Sequence, residues 1–300
     1  MSVGKFLNPQ NDVAFKHVFG KERNKDILIH FINDMLRFEG NAKIQNVTFL
    51  KTHQDPDIAV KKQSILDVLC ADERGRQYIV EMQVVTFQGF EKRAQYYAAK
   101  AYSGQLNRGE KYHELKEVIF LAITNFVMFP DKEAYKSDHV ILDKETYSHD
   151  LKDFSFTFIE LPKFNKSIDD LTNIVEKWTY FFKHAKDTTE EELSKLVGND
   201  VVIEKAYKEL NRFSWTEIEL NTYEQEEKHE RDNQAARDFA VAEGMSKGIA
   251  QGIAQGIVEG NKRASLRIAK EMRSRGVDDA LILQFTGLSQ QDLNQLEEEK

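Results

Sequence analysis

The sequence predicts an α/β (α+β) fold followed by a helical C-terminal half, on three observations. Apolar runs of strand length fall within the first 161 residues: Lys43–Lys51, Ser64–Ala71, Gln77–Val85, Val118–Phe126, His139–Leu142 and Phe154–Leu161. Segments with apolar residues at helical spacing lie before and between those runs, Lys25–Leu36 and Phe90–Leu106 above all. Beyond Leu161-Pro162 the chain reads as one helix after another.

In order, Asn8-Pro9 sets a turn, and Asn11 or Asp12 caps a helix that Gly20 ends near Phe19. Lys25–Leu36 is amphipathic. Lys43–Lys51 alternates as a strand, and His53–Pro56 breaks it. Ser64–Ala71 and Gln77–Val85 flank Glu73-Arg74-Gly75, a three-residue hairpin loop in which Gly75 takes positive φ. Closing there sets Ala71 against Gln77 and Asp67 against Glu81. Phe90–Leu106 is a helix with Ala94, Tyr97 and Ala101 on its buried stripe. Val118–Phe126 is apolar throughout, as a strand covered on both faces requires. Asp170–His184 has a strongly apolar face, and a further acidic helical stretch to Ala240 is interrupted at Phe213 and Trp215.

Strand alternation puts Ile65, Asp67 and Leu69 on one face with Ile79, Glu81 and Gln83. Directly opposed like charges are destabilising, and carboxylates among Ile and Val need compensation. A divalent cation is the simplest compensation; an exposed hairpin edge with solvated acids is the alternative. Lys16, one turn after Asp12 on the first helix, can add positive charge that Gln83 cannot. Lys92 and Arg93 follow the second acidic strand, where a phosphate backbone could be held or where a basic face simply meets water.

Asp67, then Glu81-Met82-Gln83, resembles the D…ExK signature of PD-(D/E)xK phosphodiesterases, with Gln in place of Lys. Asn11-Asp12-Val13-Ala14-Phe15-Lys16-His17-Val18-Phe19-Gly20, Arg93-Ala94-Gln95-Tyr96-Tyr97 and Tyr102-Ser103-Gly104-Gln105-Leu106 stand in order around it. Together they resemble the Rpn family of recombination-promoting nucleases and transposases, over about residues 5–165. The resemblance implies a restriction-endonuclease-like α-β-β-β-α-β core. It also implies a metal-dependent DNA endonuclease of low sequence specificity, linked to recombination or mobile elements. Its catalytic residues would be Asp67, Glu81, Gln83 and Asp12; Asp67, Glu81 and the backbone carbonyl of Met82 would hold Mg²⁺, or else Mn²⁺ or Ca²⁺. Lys16, Lys92 and Arg93 would meet the nucleic acid. A catalytically weak or silent DNA-binding and assembly module on the same fold is the alternative, because Gln83 is neutral.

The expected organisation is a nuclease-like domain at 1–165, a helical extension at 166–240, a glycine-repeat helix or spacer at 241–261, and a small helical module at 262–300. Gly244, Gly248, Gly252, Gly256 and Gly260 recur every four residues beside Ile249, Ile253 and Ile257. Each glycine costs a helix about 1 kcal/mol relative to Ala. That pattern fits either a partner-stabilised helix or a semi-flexible spacer. The tail suits a helix-turn-helix in outline, but it ends in Glu297-Glu298-Glu299, so packing or homo-oligomer formation is ranked above it.

Composition sets the outer bounds. The net charge is −8, yet residues 1–126 carry 18 Lys/Arg against 15 Asp/Glu, a balance that permits DNA. No run of about 18 apolar residues exists, so no membrane partner is expected. A single cysteine, Cys70, and an N-terminus without an apolar signal core fit a cytoplasmic protein. Phosphate-loop motifs, HExxH and CxxC are missing from the sequence, which leaves nucleotide hydrolysis and zinc without a motif.

Overall fold

The computed structural model describes residues 4–51, 53–54, 64–86, 88–106, 111–198 and 200–298. Pro56, the Ile65 side chain and the acidic side chains after residue 295, on which three expectations rest, lie outside the described residues. By internal contacts the chain forms two units, Met1–Lys228 and His229–Lys300.

The first unit begins with helices α1 (Asp12–Phe19) and α2 (Lys25–Met35), followed by strands β1 (Val47–Phe49), β2 (His53–Gln54), β3 (Ser64–Ile65), β4 (Val68–Asp72) and β5 (Gln77–Gln83). Helix α3 (Phe90–Ser103) leads to strands β6 (Val118–Thr124), β7 (Lys136–Val140) and β8 (Phe154–Glu160). Helices α4 (Ile174–His184), α5 (Glu190–Val197), α6 (Val201–Glu209) and α7 (Glu217–Ser274) complete the sequence of elements up to the second unit. Six strands form one sheet in the order β1-β4-β5-β6-β8-β7, while β2 pairs with β3. Neighbours β5, β6 and β8 are parallel; the remaining pairs in the large sheet are antiparallel. The expected core order is therefore present, with β6 buried along its whole length.

Alternation along each strand divides the interior into two layers. Tyr78, Val80 and Met82 of β5 join the larger core with Phe15, Phe19, Phe31, Trp178 and Phe182 from α1, α2 and α4. Ile79 of the same strand joins Leu69, Phe120, Phe158 and the α3 residues Phe90, Ala94, Ala98 and Ala101 on the opposite face. The small alanines let α3 lie close on the sheet. Cys70 is buried in the larger layer, away from the Glu81 face, as expected.

The hairpin closes where expected. Gly75 has φ +82°, and Asp72 locks the turn by accepting from the backbone N–H of Arg74 and Arg76, each at 2.9 Å, and from the Arg76 side chain at 2.7 Å. Strand boundaries differ in three places. The expected strand Ser64–Ala71 is interrupted at Leu66 and Asp67 into β3 and β4, and β3 pairs with β2, whose His53 and Gln54 were expected to break a strand rather than form one. Only Val47–Phe49 of Lys43–Lys51 joins the ladder, because the Asn33 amide instead satisfies both the N–H and the carbonyl of Ile44. The strand expected at His139–Leu142 starts earlier, at Lys136, because Lys136 and Ser137 already pair with Ile159 and Phe158; its polar sequence hid it. Phe213 and Trp215 do mark a helix break, held by Trp215 Nε1 donating to the Glu209 carbonyl at 2.7 Å.

In the second unit the glycine repeat lies inside α7 and is helical. Helices α8 (Asp279–Thr286) and α9 (Gln290–Glu298) pack with the end of α7 through Ala269, Ile282 and Leu293. Ser289 and Asp292 form the anticipated cap, each side chain accepting from the other residue's backbone N–H.

Candidate active site

The β4–β5 ladder runs from Ala71↔Gln77 to Val68↔Val80, so Asp67 falls opposite Glu81 in the next register position. Asp67 is at a bend just before β4, and the backbone rungs stop there. Carboxylates replace them. The Met82 N–H donates to Asp67 Oδ2 at 2.9 Å, and the Asp67 N–H donates to Glu81 Oε1 at 3.2 Å. The bend also puts Leu66 into the α3-side layer with Leu69, where strict alternation would have excluded it.

Helix α1 brings the next groups. Asn11 caps it by accepting from Val13 N and Ala14 N at 3.0 and 3.3 Å, which fixes Asp12 in the first turn and Lys16 one turn on. Lys16 Nζ is 2.6 Å from Asp12 Oδ1 and 3.6 Å from Asp67 Oδ1, bridging the two acids. From the other side, α3 contributes Arg93, which donates to Gln83 Oε1, while Gln83 Nε2 donates to the Val85 carbonyl at 3.1 Å. The rings of Phe90 and Tyr97 flank the Arg93 guanidinium, with centroids 4.7 and 5.7 Å away.

This setting favours protonated carboxyls. Burial, opposed by the Met82 N–H and Lys16 and reinforced by Asp12, pushes Asp67 up to about 6. Burial and then the Asp67 charge push Glu81 well above the usual carboxylate range, against the pull of Arg93 and Lys16. Burial disfavours charge on Lys16, but the Asp12 hydrogen bond and the charges of Asp67, Asp12 and Glu81 outweigh it and raise its pKa. Three acids thus share two cations, and electrostatic room for further positive charge remains.

The donor set fits a hard divalent ion. Two carboxylates with raised pKa values face each other, and the Met82 carbonyl points to the same strand edge as its N–H, toward Asp67. Among the described residues, no group of three or more His, Cys, Asp or Glu side chains is arranged to hold a metal. Asp12 is held by Lys16 and also hydrogen-bonds the Asp67 carboxyl.

Of the residues singled out from sequence, Asp12, Lys16, Asp67, Glu81, Met82, Gln83 and Arg93 therefore meet in one place, whereas Lys92 is exposed on α3. Arg93 turns inward, onto Gln83. Tyr97 is a site neighbour that sequence reasoning assigned to the core: the Glu81 and Asp67 charges reach its hydroxyl, although burial is the main cause of its raised pKa. Its signal was the four-residue step from Arg93, which puts both on one helix face.

Residues 9–240 match the model of the family described as PD-(D/E)XK nuclease family transposase. The chain belongs to that family. Residues 262–298 match the Rpn/YhgA-like nuclease family C-terminal HTH domain, so the helix-turn-helix ranked second on sequence grounds is the supported description of that segment. No curated protein and no solved structure matches the chain. PD-(D/E)XK nucleases generally use divalent metal ions. Among its described residues no helix is long and apolar enough to cross a membrane.

Proposed function

We propose that this chain is a divalent-metal-dependent DNA endonuclease of low sequence specificity, acting in recombination or mobile-element processes. The observation that carries the reading is the reciprocal Asp67–Glu81 arrangement, in which two carboxylates of raised pKa are held face to face by opposite-strand N–H groups. Asp67, Glu81 and the Met82 carbonyl would hold Mg²⁺, Mn²⁺ or Ca²⁺. The ion, when bound, supplies Lewis-acid activation of water and charge neutralisation at the scissile phosphate.

The chain's own groups do the rest. Lys16 and Arg93 bring positive charge to either side of the carboxylates and bind the phosphate; Lys92 adds an outer contact. These contacts carry no base information, which supports low specificity at this site. Gln83, held by Arg93 at its oxygen and by the Val85 carbonyl at its nitrogen, would position the attacking water or the phosphate through its second amide hydrogen. Asp12 orients Lys16. The helix-turn-helix at 262–298 supports DNA as the partner. Exposed Ile249, Ile253 and Ile257 on α7 support self-association through the C-terminal helices. A free, buried Cys70 fits a cytoplasmic setting.

One observation favours a second reading, a silent DNA-binding module: the neutral residue at position 83. Supercoiled plasmid incubated with the full chain and Mg²⁺, Mn²⁺ or Ca²⁺, against EDTA and the Asp67→Asn variant, decides between them. Metal-dependent nicking lost in the variant supports the nuclease. Binding with no cleavage under every ion supports the module.

A further inference from the structure

Helix α3 lies on the sheet through Phe90, Ala94, Ala98 and Ala101, and its two flanks meet different surroundings. Arg93 and Tyr97 face the carboxylates. On the other flank, Glu91 and Gln95 line a cavity of about 330 Å³ together with the rings of Phe129, His139, Phe156 and Phe158. That volume is at the small end of ligand pockets, about 300–1,000 Å³, and matches a planar heterocycle.

Three of the rings form one aromatic cluster. Phe129 stands 5.0 Å from His139 and 5.5 Å from Phe158, and His139 stands 5.5 Å from Phe158. Burial and the nearby Lys132 lower the His139 pKa, so the imidazole is a neutral stacking surface near neutral pH. Phe129 is fixed by buried charge. Glu160 Oε2 accepts from the N–H of Met128 and of Phe129 at 2.7 and 3.2 Å, while Lys163 donates to Glu160 Oε1 at 2.9 Å and to the Phe129 carbonyl at 2.7 Å. A buried ion pair of this kind adds little stability by itself, so its effect here is to hold one aromatic residue in place.

The cavity shares a sheet face with the carboxylates. Glu81, Ala122 and Phe158 are in register across β5, β6 and β8, which puts Phe158 two strand spacings, about 10 Å, from Glu81. One strand of nucleic acid can reach both. Lys132, 5.0 Å from the Phe129 ring centre, supplies a cation beside this wall for its backbone. Glu91 and Gln95 offer a carboxylate and an amide to the edge of an inserted ring, a pairing suited to an exocyclic amino group.

We propose that this cavity receives an unpaired nucleobase, preferentially one bearing an exocyclic amino group, from the DNA strand held at Asp67 and Glu81. The inference rests on DNA being the substrate of that site, but not on cleavage. Aromatic stacking makes such binding tolerant of base identity, and the carboxylate adds the preference.

The test is fluorescence anisotropy of the full chain in EDTA with short labelled single strands of cytosine, thymine or abasic nucleotides. The expected order is cytosine, then thymine, then abasic. Phe129→Leu keeps apolar bulk and loses the ring; it should weaken cytosine binding about fivefold to a hundredfold, the effect of losing one stacked base, and leave abasic binding unchanged. Glu91→Gln, at an exposed position, should abolish the cytosine-over-thymine preference. Equal binding of cytosine and abasic strands overturns the proposal. So does a Phe129→Leu variant that instead changes the oligomeric mass in light scattering, since a second copy then fills the cavity. If base-dependent binding is found while plasmid cleavage fails under every metal, the cavity stands and the nuclease reading falls.

Discussion

Replacing Asp67 by Asn separates a metal site from a structural ion pair. In the metal-free fold Asp67 titrates at about 6, above the ordinary carboxylate value of about 3.9. Two pH units correspond to about 3 kcal/mol of penalty on the charged form. Because the folded pKa is the raised one, folding takes up protons in this range. The contribution is fully favourable below about pH 4, is lost as pH rises through about 6, and stays lost above that. Asn keeps the side-chain oxygen that accepts from Met82 N, and it relieves the charge that raises Glu81. It gives up an attraction to Lys16 at 3.6 Å, but Lys16 keeps Asp12 at 2.6 Å and is partly exposed. The variant should therefore melt above wild type at pH 8 by up to about 3 kcal/mol, or about 6–12 °C for a unit of this size, and level with it near pH 4. Metal should act in the opposite sense. An ion at a hundred times its Kd stabilises wild type by about 2.7 kcal/mol and leaves the variant unmoved. Calorimetric melts of both proteins at the two pH values, with EDTA or Mg²⁺, read all of this. A variant that melts below wild type at pH 8 in EDTA, with wild type indifferent to Mg²⁺, Mn²⁺ and Ca²⁺, would refute the reasoning.

The other expectations test the site's surroundings. Lys16→Ala should weaken cleavage and reduce the salt slope of DNA binding by about 1, as loss of one phosphate contact does; an unchanged slope assigns Lys16 to α1 alone. Arg93→Met should lower cleavage at least about tenfold and shift its pH profile upward, because Glu81 loses a cation that favours its charged form. His17 is buried and stacked on Trp215 at 4.0 Å; burial and then Lys21 hold its pKa down to about 4. Its stabilising contribution is present above about 6.5 and is lost as pH falls toward 4, a slope opposite to that of Asp67; His17→Gln should flatten this acid limb in urea melts. A chain ending at Lys228 should lose DNA affinity and contain fewer copies per particle in light scattering; an unchanged number of copies would refute self-association through the C-terminal helices.

How much of this was legible depended on whether the signal was local. The hairpin register could be counted from Gly75, since loop length fixes which residues oppose, and Asp67 opposite Glu81 followed from that alone. β6 was readable because a strand buried on both faces is continuously apolar. β7 was not, because an edge strand reading Lys-Ser-Asp-His-Val owes its place to pairing with β8, a long-range fact. Asn33 reaching Ile44 likewise removed part of a strand without any local trace. The sites on helices divided the same way. The Asp12–Lys16 spacing was visible within one helix, but Arg93 turning onto Gln83 required knowing that α3 packs on β6, the strand next to β5.

That packing bears on the neutral side chain at position 83. A lysine at position 83 would put a cation on the same strand face as Glu81. Here the cations come instead from the two helices that bracket the strand, Lys16 from α1 and Arg93 from α3. Arg93 occupies the Gln83 oxygen, and a lysine at 83 would meet that guanidinium with like charge. The electrostatics around Glu81 already include Arg93 and Lys16 among the groups that favour its ionised form. The arrangement predicts that Gln83→Lys alone does not improve cleavage, since it adds a cation where one already sits and releases Arg93 from its hydrogen bond. The double variant Gln83→Lys, Arg93→Gln restores one cation and one amide in exchanged places, and it should recover activity relative to Arg93→Gln by itself. Plasmid nicking rates for the single and double variants form a cycle whose coupling term measures the exchange. Additive effects, with no recovery in the double variant, would show that the guanidinium does not stand in for the lysine.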